Sequence, residues 1–208
     1  MSSGVRTVVA TIEPFTQHWR EANLEALAAD GPLWIVVGDS SSVGVGASHP
    51  QKGYVGVTVE RLRAESGEPW RVINLGESGA KVGDAIDRQL PLVDRIIEVA
   101  GAPALVTANI GFNDVMFGAK LRGPRSAVDE LGARLPAGSI LTSVAGSPRS
   151  IRVRSTNAAL AEAARRHDHR FIDAWGWSGG RHVLADDRFH LNDVGYAAMA
   201  ETLLPHLI

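Results

Sequence analysis

The segment LWIVVGDS, residues 33–40, contributes most to the interpretation of the fold. Its first five residues are all apolar, which is typical of a strand buried on both faces of a sheet, and the run stops at Gly38. Four further strands are predicted at residues 71–75 (RVINL), 104–110 (ALVTANI), 139–144 (SILTSV) and 171–174 (FIDA). Together the five segments predict one central sheet.

Stretches with a helical spacing of apolar residues separate the predicted strands. They cover residues 55–64, 82–99, 126–135, 155–167 and 193–207. Pro91 is expected to bend the second of these helices. Strands that alternate with helices predict a parallel sheet covered on both faces. The predicted fold class is therefore α/β, a three-layer flavodoxin-like α/β/α sandwich with a central five-stranded parallel sheet.

The first 30 residues differ from the rest of the chain. Residues 16–29 place Trp19 and Leu24 among polar side chains, which is typical of an amphipathic helix. We therefore divide the chain into an N-terminal helical extension, residues 1–30, and a main domain, residues 31–208. The extension lies outside the alternation of strands and helices that characterises the rest of the chain. Its helix is a candidate surface for homo-oligomerisation.

Composition excludes several classes of protein. The 208 residues are 45% hydrophobic and 21% charged, which suits one globular domain. Lys and Arg total 21 against 23 Asp and Glu, so no basic excess indicates a nucleic-acid partner. Without cysteine the chain has no disulfide and no thiol nucleophile. No apolar run approaches the ~18 residues of a membrane span, and no signal peptide is recognised, so a cytoplasmic location is expected.

Polar segments stand where the predicted strands end. Ligands of parallel α/β sheets bind beyond the carboxyl ends of the strands, so these segments are the candidate site. The segments are Gly38-Asp39-Ser40, Asn74 to Gly79, Gly111 to Asp114, and Asp187 to Asn192 before the last helix. They supply a hydroxyl, N–H groups of a glycine-rich turn, a side-chain amide and an Asp/His pair. Acyl transfer uses this set: a nucleophile, a base, a carboxylate that orients the base, and oxyanion donors.

One of the seven histidines stands apart from the others. Only His190 has an aspartate, Asp187, three residues before it. An aspartate at that spacing can fold back and reach Nδ1 of the imidazole, which leaves Nε2 for a serine. The pattern is common on protein surfaces, but here it accompanies a serine at a strand end.

These four segments resemble the four sequence blocks of the SGNH (GDSL-type) hydrolase family. The blocks are Gly38-Asp39-Ser40, Gly79, Gly111-x-Asn113-Asp114 and Asp187-x-x-His190, in the family's order. The resemblance covers roughly residues 33–208. It implies a flavodoxin-like fold and hydrolysis of small-molecule esters or thioesters through an acyl-serine, with no cofactor and no metal.

The resemblance also implies a role for each matching residue. Ser40 would be the nucleophile, His190 the base, and Asp187 the residue that orients His190. The oxyanion donors would be the N–H groups of Ser40 and Gly79 and the side-chain amide of Asn113. Gly76 is the alternative to Gly79, and Ser41 stands where the family often has leucine, which affects the shape of the pocket.

Each of these residues also has a structural alternative. Ser40 could cap the following helix, because serine and aspartate are favoured N-caps. Asn113 could be a turn residue. Asp39 is too close to the strand end to orient His190, so we expect it, like Asp114, to brace its own loop.

Apolar residues beside the four blocks are candidates for contact with the acyl group. They are Phe112, Met116, Phe189 and Leu191, with a place in the core as the alternative. The chain has no long insertion from which to build a lid, so short acyl groups are expected. Only the Trp19 and Leu24 face of residues 16–29 could cover the site, and that face could instead pack elsewhere on the domain or on a second subunit. Three arginines follow the fourth strand, and we expect them to be solvated, with contact to an anionic substrate as the alternative: Arg149, Arg152 and Arg154.

The sequence leaves alternatives to an esterase open. An acyltransferase or a carbohydrate O-deacetylase would use the same three residues. A flavodoxin-like binding module would require the four blocks to be incidental. The chain contains no G-x-x-x-x-G-K and no H-E-x-x-H motif, so an NTPase or a metalloprotease is not indicated.

Overall fold

The five predicted strands form a single parallel sheet. A computed structural model of the chain describes residues 2–118, 124–175 and 180–207. The strands are β1 (Leu33–Gly38), β2 (Arg71–Asn74), β3 (Leu105–Asn109), β4 (Ile140–Thr142) and β5 (Arg170–Ile172), in the spatial order β2-β1-β3-β4-β5. The predicted α/β class and the five-stranded parallel sheet are confirmed.

Helices connect the strands and precede the first of them. They are α1 (Ser3–Ala10), α2 (Ile12–Ala28), α3 (Ser40–Val43), α4 (Tyr54–Ser66), α5 (Val82–Asp84), α6 (Leu90–Ala100), α7 (Phe112–Phe117), α8 (Pro124–Arg134), α9 (Ile151–Arg166) and α10 (Asp193–Leu203). The sequence did not predict α1, α3 or α7. With 4 and 6 residues, α3 and α7 are each shorter than two helical turns, and α1, with 8, is barely longer. The helix predicted over residues 16–29 corresponds to α2, which begins earlier, at Ile12.

The helix predicted over residues 82–99 contains an irregular turn. Residues Ala85–Gln89 are π-helical and join α5 to α6. Pro91 has no N–H to donate to the carbonyl of Asp87, so the regular hydrogen-bond ladder is interrupted beside this turn. The turn directs the side chain of Gln89 towards Gly38 at the end of β1.

Side chains of β1 alternate between two cores. Ile35 and Val37 pack on the face covered by α6, α8 and α9, whereas Trp34 and Val36 pack on the face covered by α2, α4 and α10. Every residue of β1 is buried. Burial of an aliphatic side chain of this size contributes about 1.5–3 kcal/mol to folding, so both helix layers are anchored on this strand.

The first and third strands end side by side. Gly38 pairs with Asn109 in the register of β1 and β3. The order of the strands reverses here, because β2 lies on one side of β1 and β3 lies on the other. Ligand sites of open α/β sheets lie at such switch points. The loops that begin at Asp39 and Ile110 therefore emerge together at the expected place.

The N-terminal helices pack on the main domain. Trp19 is 4% exposed and lies in the core on one face of the sheet, while Leu24 is 69% exposed. The two side chains lie about 140° apart around the helix, since a helix has about 3.6 residues per turn. They therefore do not form one face that could cover the site. The division at residue 30 and the homo-oligomer stay predictions.

No helix among the residues that the structure describes is both long enough and apolar enough to cross a membrane.

Candidate active site

Ser40 lies at the first turn after β1. Asp39 is the N-cap of α3, and its Oδ1 accepts the N–H of Ser41 at 2.9 Å. Gly44 ends the helix in the left-handed region, with φ 86°. Because Asp39 performs the capping, Ser40 is not the cap, and its hydroxyl is available for another contact.

The hydroxyl of Ser40 contacts a histidine that is far away in the sequence. Nε2 of His190 lies 3.1 Å from Oγ of Ser40, and Nδ1 of His190 lies 2.6 Å from Oδ2 of Asp187. The structure thus brings together the three residues to which the resemblance assigns the chemistry. A carboxylate can only accept, so Nδ1 donates to Asp187, and Nε2 is left to accept the proton of Ser40.

A tight turn holds Asp187 against His190. Oδ1 of Asp187 accepts the N–H groups of Phe189 at 2.9 Å and of His190 at 3.0 Å. Arg188, which lies between Asp187 and Phe189 in the chain, has φ 59°, in the left-handed region that few non-glycine residues adopt. Burial acts to raise the pKa of Asp187, but its hydrogen bonds to the His190 ring and to the two N–H groups outweigh burial and lower it. Asp187 is therefore ionised at neutral pH.

The predicted oxyanion donors lie on neighbouring loops. Within the described part of the chain, the N–H groups of Ser40 and Gly79 donate no hydrogen bond. Gly79 has φ 80°, a conformation that favours glycine. The alternative, Gly76, already donates its N–H to Oδ1 of Asn74 at 3.0 Å. The arrangement thus favours Gly79 over Gly76.

Asn113 is buried at the first turn of α7. Its Nδ2 donates to the carbonyl of Ala80, the residue after Gly79, at 2.9 Å. An amide nitrogen carries two hydrogens, so one remains for another acceptor. This contact joins the third block to the second and argues against a simple turn role for Asn113.

Asp39 and Asp114 brace loops, as the sequence indicates. Oδ2 of Asp114 accepts the N–H of Val82 at the start of α5, at 3.0 Å. Burial, together with a smaller contribution from the nearby carboxylate of Asp114, raises the pKa of Asp39 to about 6. Burial also raises the pKa of Asp114. Neither carboxylate contacts His190 in the structure.

A glutamine that the sequence pattern did not single out holds the end of β1. Gln89 is fully buried; its Oε1 accepts the N–H of Gly38 and its Nε2 donates to the carbonyl of Gly38, both at 2.9 Å. Gly38 lies two residues before Ser40. A signal was present, since Gln89 is a polar residue on the apolar face that Ile86, Leu90 and Val93 define.

Asn74, the first residue of the second polar segment, is a second positioning residue. Its Nδ2 donates to the carbonyl of Ser42 at 2.6 Å, while Oδ1 accepts the N–H of Gly76. The buried amide of Asn74 therefore connects the loop that carries Ser40 to the loop that carries Gly79.

Aromatic side chains flank His190. The ring of Phe189 lies 5.0 Å from His190, 5.4 Å from Phe112 and 6.3 Å from Phe117, measured between centroids. Phe189 is 36% exposed, Met116 is 48% exposed and Phe117 is 66% exposed. The three phenylalanines form a partly exposed apolar surface beside the histidine. We call Phe112, Phe117 and Phe189 the aromatic shelf.

Leu191 does not join the aromatic shelf. It is buried in the core that contains Trp34 and Val43, and it forms an antiparallel bridge with Leu184. Leu191 is 6% exposed whereas Phe189 is 36% exposed, so the two side chains lie in different surroundings. The placement favours the core alternative for Leu191.

Two side chains make tertiary contacts that the sequence did not predict, although Arg152 is exposed, as expected for the arginines after the fourth strand. Arg152 donates from Nη2 to the carbonyl of Asp114 at 3.0 Å and so supports the loop of the third block. His167 contacts Oδ1 of Asp129 at 3.0 Å. Both contacts join segments distant in sequence, which the local pattern could not indicate. Among the described residues, no three His, Asp or Glu side chains converge as metal ligands.

Comparisons with known proteins agree with this geometry. The sequence model of the GDSL-like lipase/acylhydrolase family matches residues 36–198. The solved structure of TesA has 21% identity and a TM-score of 0.71, over 85% of this chain and 99% of that chain. The psychrotrophic esterase EstA from Pseudoalteromonas sp. has 17% identity and a TM-score of 0.66, over 83% and 94%.

A third solved structure is a variant of Axe2, an acetyl xylan esterase from Geobacillus stearothermophilus. It has 22% identity and a TM-score of 0.65, over 86% of this chain and 95% of that chain. At such identities the likeness establishes a shared fold. No curated protein matches the chain.

Proposed function

The chain belongs to the GDSL-like lipase/acylhydrolase family and is a hydrolase of ester bonds, and from this premise we propose that it works as a serine esterase through an acyl-serine intermediate. The observation that carries this proposal is the chain of contacts from Asp187 through His190 to Ser40, at 2.6 and 3.1 Å. Small-molecule carboxylic esters or thioesters are the proposed substrates. The proposed chemistry requires neither a metal nor a cofactor.

In the first half of the proposed reaction, His190 takes the proton of Ser40 at Nε2 while Oγ attacks the carbonyl carbon of the ester. The carbonyl oxygen becomes an oxyanion, to which the N–H groups of Ser40 and Gly79 and the amide of Asn113 donate. The protonated His190 then gives its proton to the leaving alkoxide or thiolate, and the acyl group stays on Ser40.

In the second half, a water molecule replaces the leaving group. His190 takes a proton from this water as its oxygen attacks the acyl carbon, and returns the proton to Oγ of Ser40 when the acid departs. Asp187 stays ionised throughout, holds the imidazole in the required tautomer and stabilises its charged form.

The open site favours short acyl groups. The aromatic shelf is exposed, with Phe117 at 66%, so a long acyl chain lying on it would keep one side in water. Each CH₂ would then gain less than the ~0.8 kcal/mol of full burial. Because Trp19 is buried in the core on one face of the sheet, α2 does not cover the aromatic shelf.

The same openness supports a second candidate, a carbohydrate O-deacetylase. An exposed site accepts a bulky alcohol such as a sugar on the leaving-group side and also admits water, which disfavours net acyl transfer. Acetate, butyrate, octanoate and palmitate esters, compared with acetylated xylo-oligosaccharides, distinguish these activities. Fastest turnover of octanoate or palmitate would contradict the proposed short-chain preference.

The nucleophile is tested directly by fluorophosphonate labelling. We expect one label on the wild-type protein and none on Ser40→Ala. Ser41→Ala is the matched control, because Ser41 is the neighbouring hydroxyl, and it should label like the wild type. A label that persists in Ser40→Ala would contradict the proposed role of Ser40.

A further inference from the structure

The second N-terminal helix contacts the segment that carries Ser40. Nε1 of Trp19 donates to the carbonyl of Val43 at 3.0 Å, and both groups are buried. Val43 is the last residue of α3 and Ser40 is the first. A helix of one turn is not stable by itself, and its last carbonyls lack partners within the helix. Trp19 therefore supplies an external donor to the short helix that presents Ser40.

The same helix holds the strand that leads to the second block. Asn23 pairs with both backbone groups of Asn74: Nδ2 donates to the carbonyl at 2.9 Å, and Oδ1 accepts the N–H at 2.8 Å. β2 is an edge strand, so Asn23 satisfies groups that would otherwise lack a strand partner. The side chain of Asn74 in turn bonds Ser42 and Gly76. A hydrogen-bonded path thus runs from α2 to both loops of the site.

The first N-terminal helix contacts the segment that carries Asp187. At Gly4 in α1, an added Cβ would lie 2.5 Å from the carbonyl oxygen of Asp186 and 2.8 Å from its Cβ. The backbone of α1 therefore lies directly against the residue that precedes Asp187. Val8, one turn later, is buried in the same core as Val183.

We propose that α1 and α2 together set the position of Ser40 relative to His190, with Trp19 and Asn23 as positioning residues. Ser40 and His190 lie 150 residues apart in the chain, yet they must meet within hydrogen-bond distance. The two helices are consecutive in the chain. α2 contacts the short helix that carries Ser40, and α1 contacts the segment that carries Asp187. The proposal rests on the proposed function, since it assigns the helices a role in that reaction. It also extends the working enzyme beyond the residues 36–198 that the family model matches.

Three full-length variants test this role without removing the helices. Trp19→Phe keeps the aromatic packing but lacks the N–H, and Asn23→Leu keeps the volume but lacks both hydrogen bonds. The matched control is Arg71→Met. Arg71 also ties α2 to β2, through the carbonyls of Ala26 and Gly31, but at the end of the strand remote from Ser40.

Three measurements are made on each folded variant. Hydrogen–deuterium exchange of residues 38–48 and 74–80 reports how firmly the two loops are held, whatever the chemistry. Fluorophosphonate labelling and the separation of kcat from KM report the consequence for Ser40. We expect Trp19→Phe and Asn23→Leu to exchange faster in both segments and to lose about 10- to 100-fold in labelling rate and kcat, with little change in KM.

Arg71→Met should lower the melting temperature without either effect. Unchanged exchange in residues 38–48 and 74–80, or equal acceleration by Arg71→Met, overturns the positioning role. Faster exchange with wild-type labelling and kcat also overturns it, because the helices would then only stabilise the fold. If the wild type itself takes no label at Ser40, the proposed function fails, which is a distinct result from either of these.

Discussion

Asp187 and His190 are joined twice within one turn, by a side-chain contact of 2.6 Å and by the N–H of His190 donating to the other carboxylate oxygen at 3.0 Å. The carboxylate therefore fixes both the backbone and the ring of the histidine. The orientation of the imidazole towards Ser40 depends on an acceptor at both positions.

We predict that Asp187→Asn lowers kcat about 10⁴-fold, as the equivalent change does in a serine protease, because the amide can donate to Nδ1 and favour the wrong tautomer. Ester hydrolysis at neutral pH measures the effect. Asp129→Asn is the control, since Asp129 also contacts a histidine, His167, at 3.0 Å but lies outside the site. Equal losses in both variants would contradict a specific role for Asp187.

We predict that Asn113→Ala lowers kcat about 10²–10³-fold with a small change in KM, because an oxyanion donor acts on the transition state. The kinetic constants are compared on an acetate ester, and a thermal melt confirms folding. A loss confined to KM would identify Asn113 as a substrate-binding residue instead.

We predict that Gln89→Leu lowers the free energy of unfolding by about 1–3 kcal/mol, because the buried N–H of Gly38 loses its acceptor. Urea denaturation measures this change. Gln17→Leu is the control, since Gln17 is exposed and its amide bonds to Glu21 on the surface. Gln89→Leu should also lower kcat, because Gly38 precedes Ser40 by two residues. Unaltered stability would show that the two hydrogen bonds contribute little.

Asp39 should give the stability a measurable pH dependence. Its pKa is raised from 3.8 to about 6, chiefly by burial, so the folded protein holds this proton more tightly than the unfolded chain. The resulting stabilisation is complete below about pH 3.8 and is lost as the pH rises through 6. Relative to Asp39→Asn, which can still cap α3, the wild type should lose up to about 2–3 kcal/mol between pH 4 and pH 7.

Urea denaturation of both proteins at several pH values in this range checks the prediction. Asp30→Asn, a change at an exposed carboxylate, should show no such trend relative to the wild type. A constant difference between wild type and Asp39→Asn across the range would mean that Asp39 is not desolvated in solution.

The apolar runs were sufficient to predict the sheet. Strands such as β1 are apolar throughout because both of their faces are covered, and this pattern is local in the sequence. Helix boundaries were less accurate, because the ends of α2 and α9 depend on which residues find caps and packing partners. The π turn at Ala85–Gln89 followed from hydrogen bonding around Pro91, of which the sequence predicted only a bend.

By itself the sequence determined the fold class, the four blocks and the identity of Ser40, Asp187 and His190 as candidates, because strand periodicity and short motifs are local properties. Only the tertiary structure decided that Oγ of Ser40 lies within hydrogen-bond distance of Nε2 of His190, and that the N–H of Gly76 already donates to Asn74. It also decided that Trp19 faces inward while Leu24 faces solvent. These outcomes depend on contacts between residues far apart in the chain, whose partners the packing of the helices on the sheet selects.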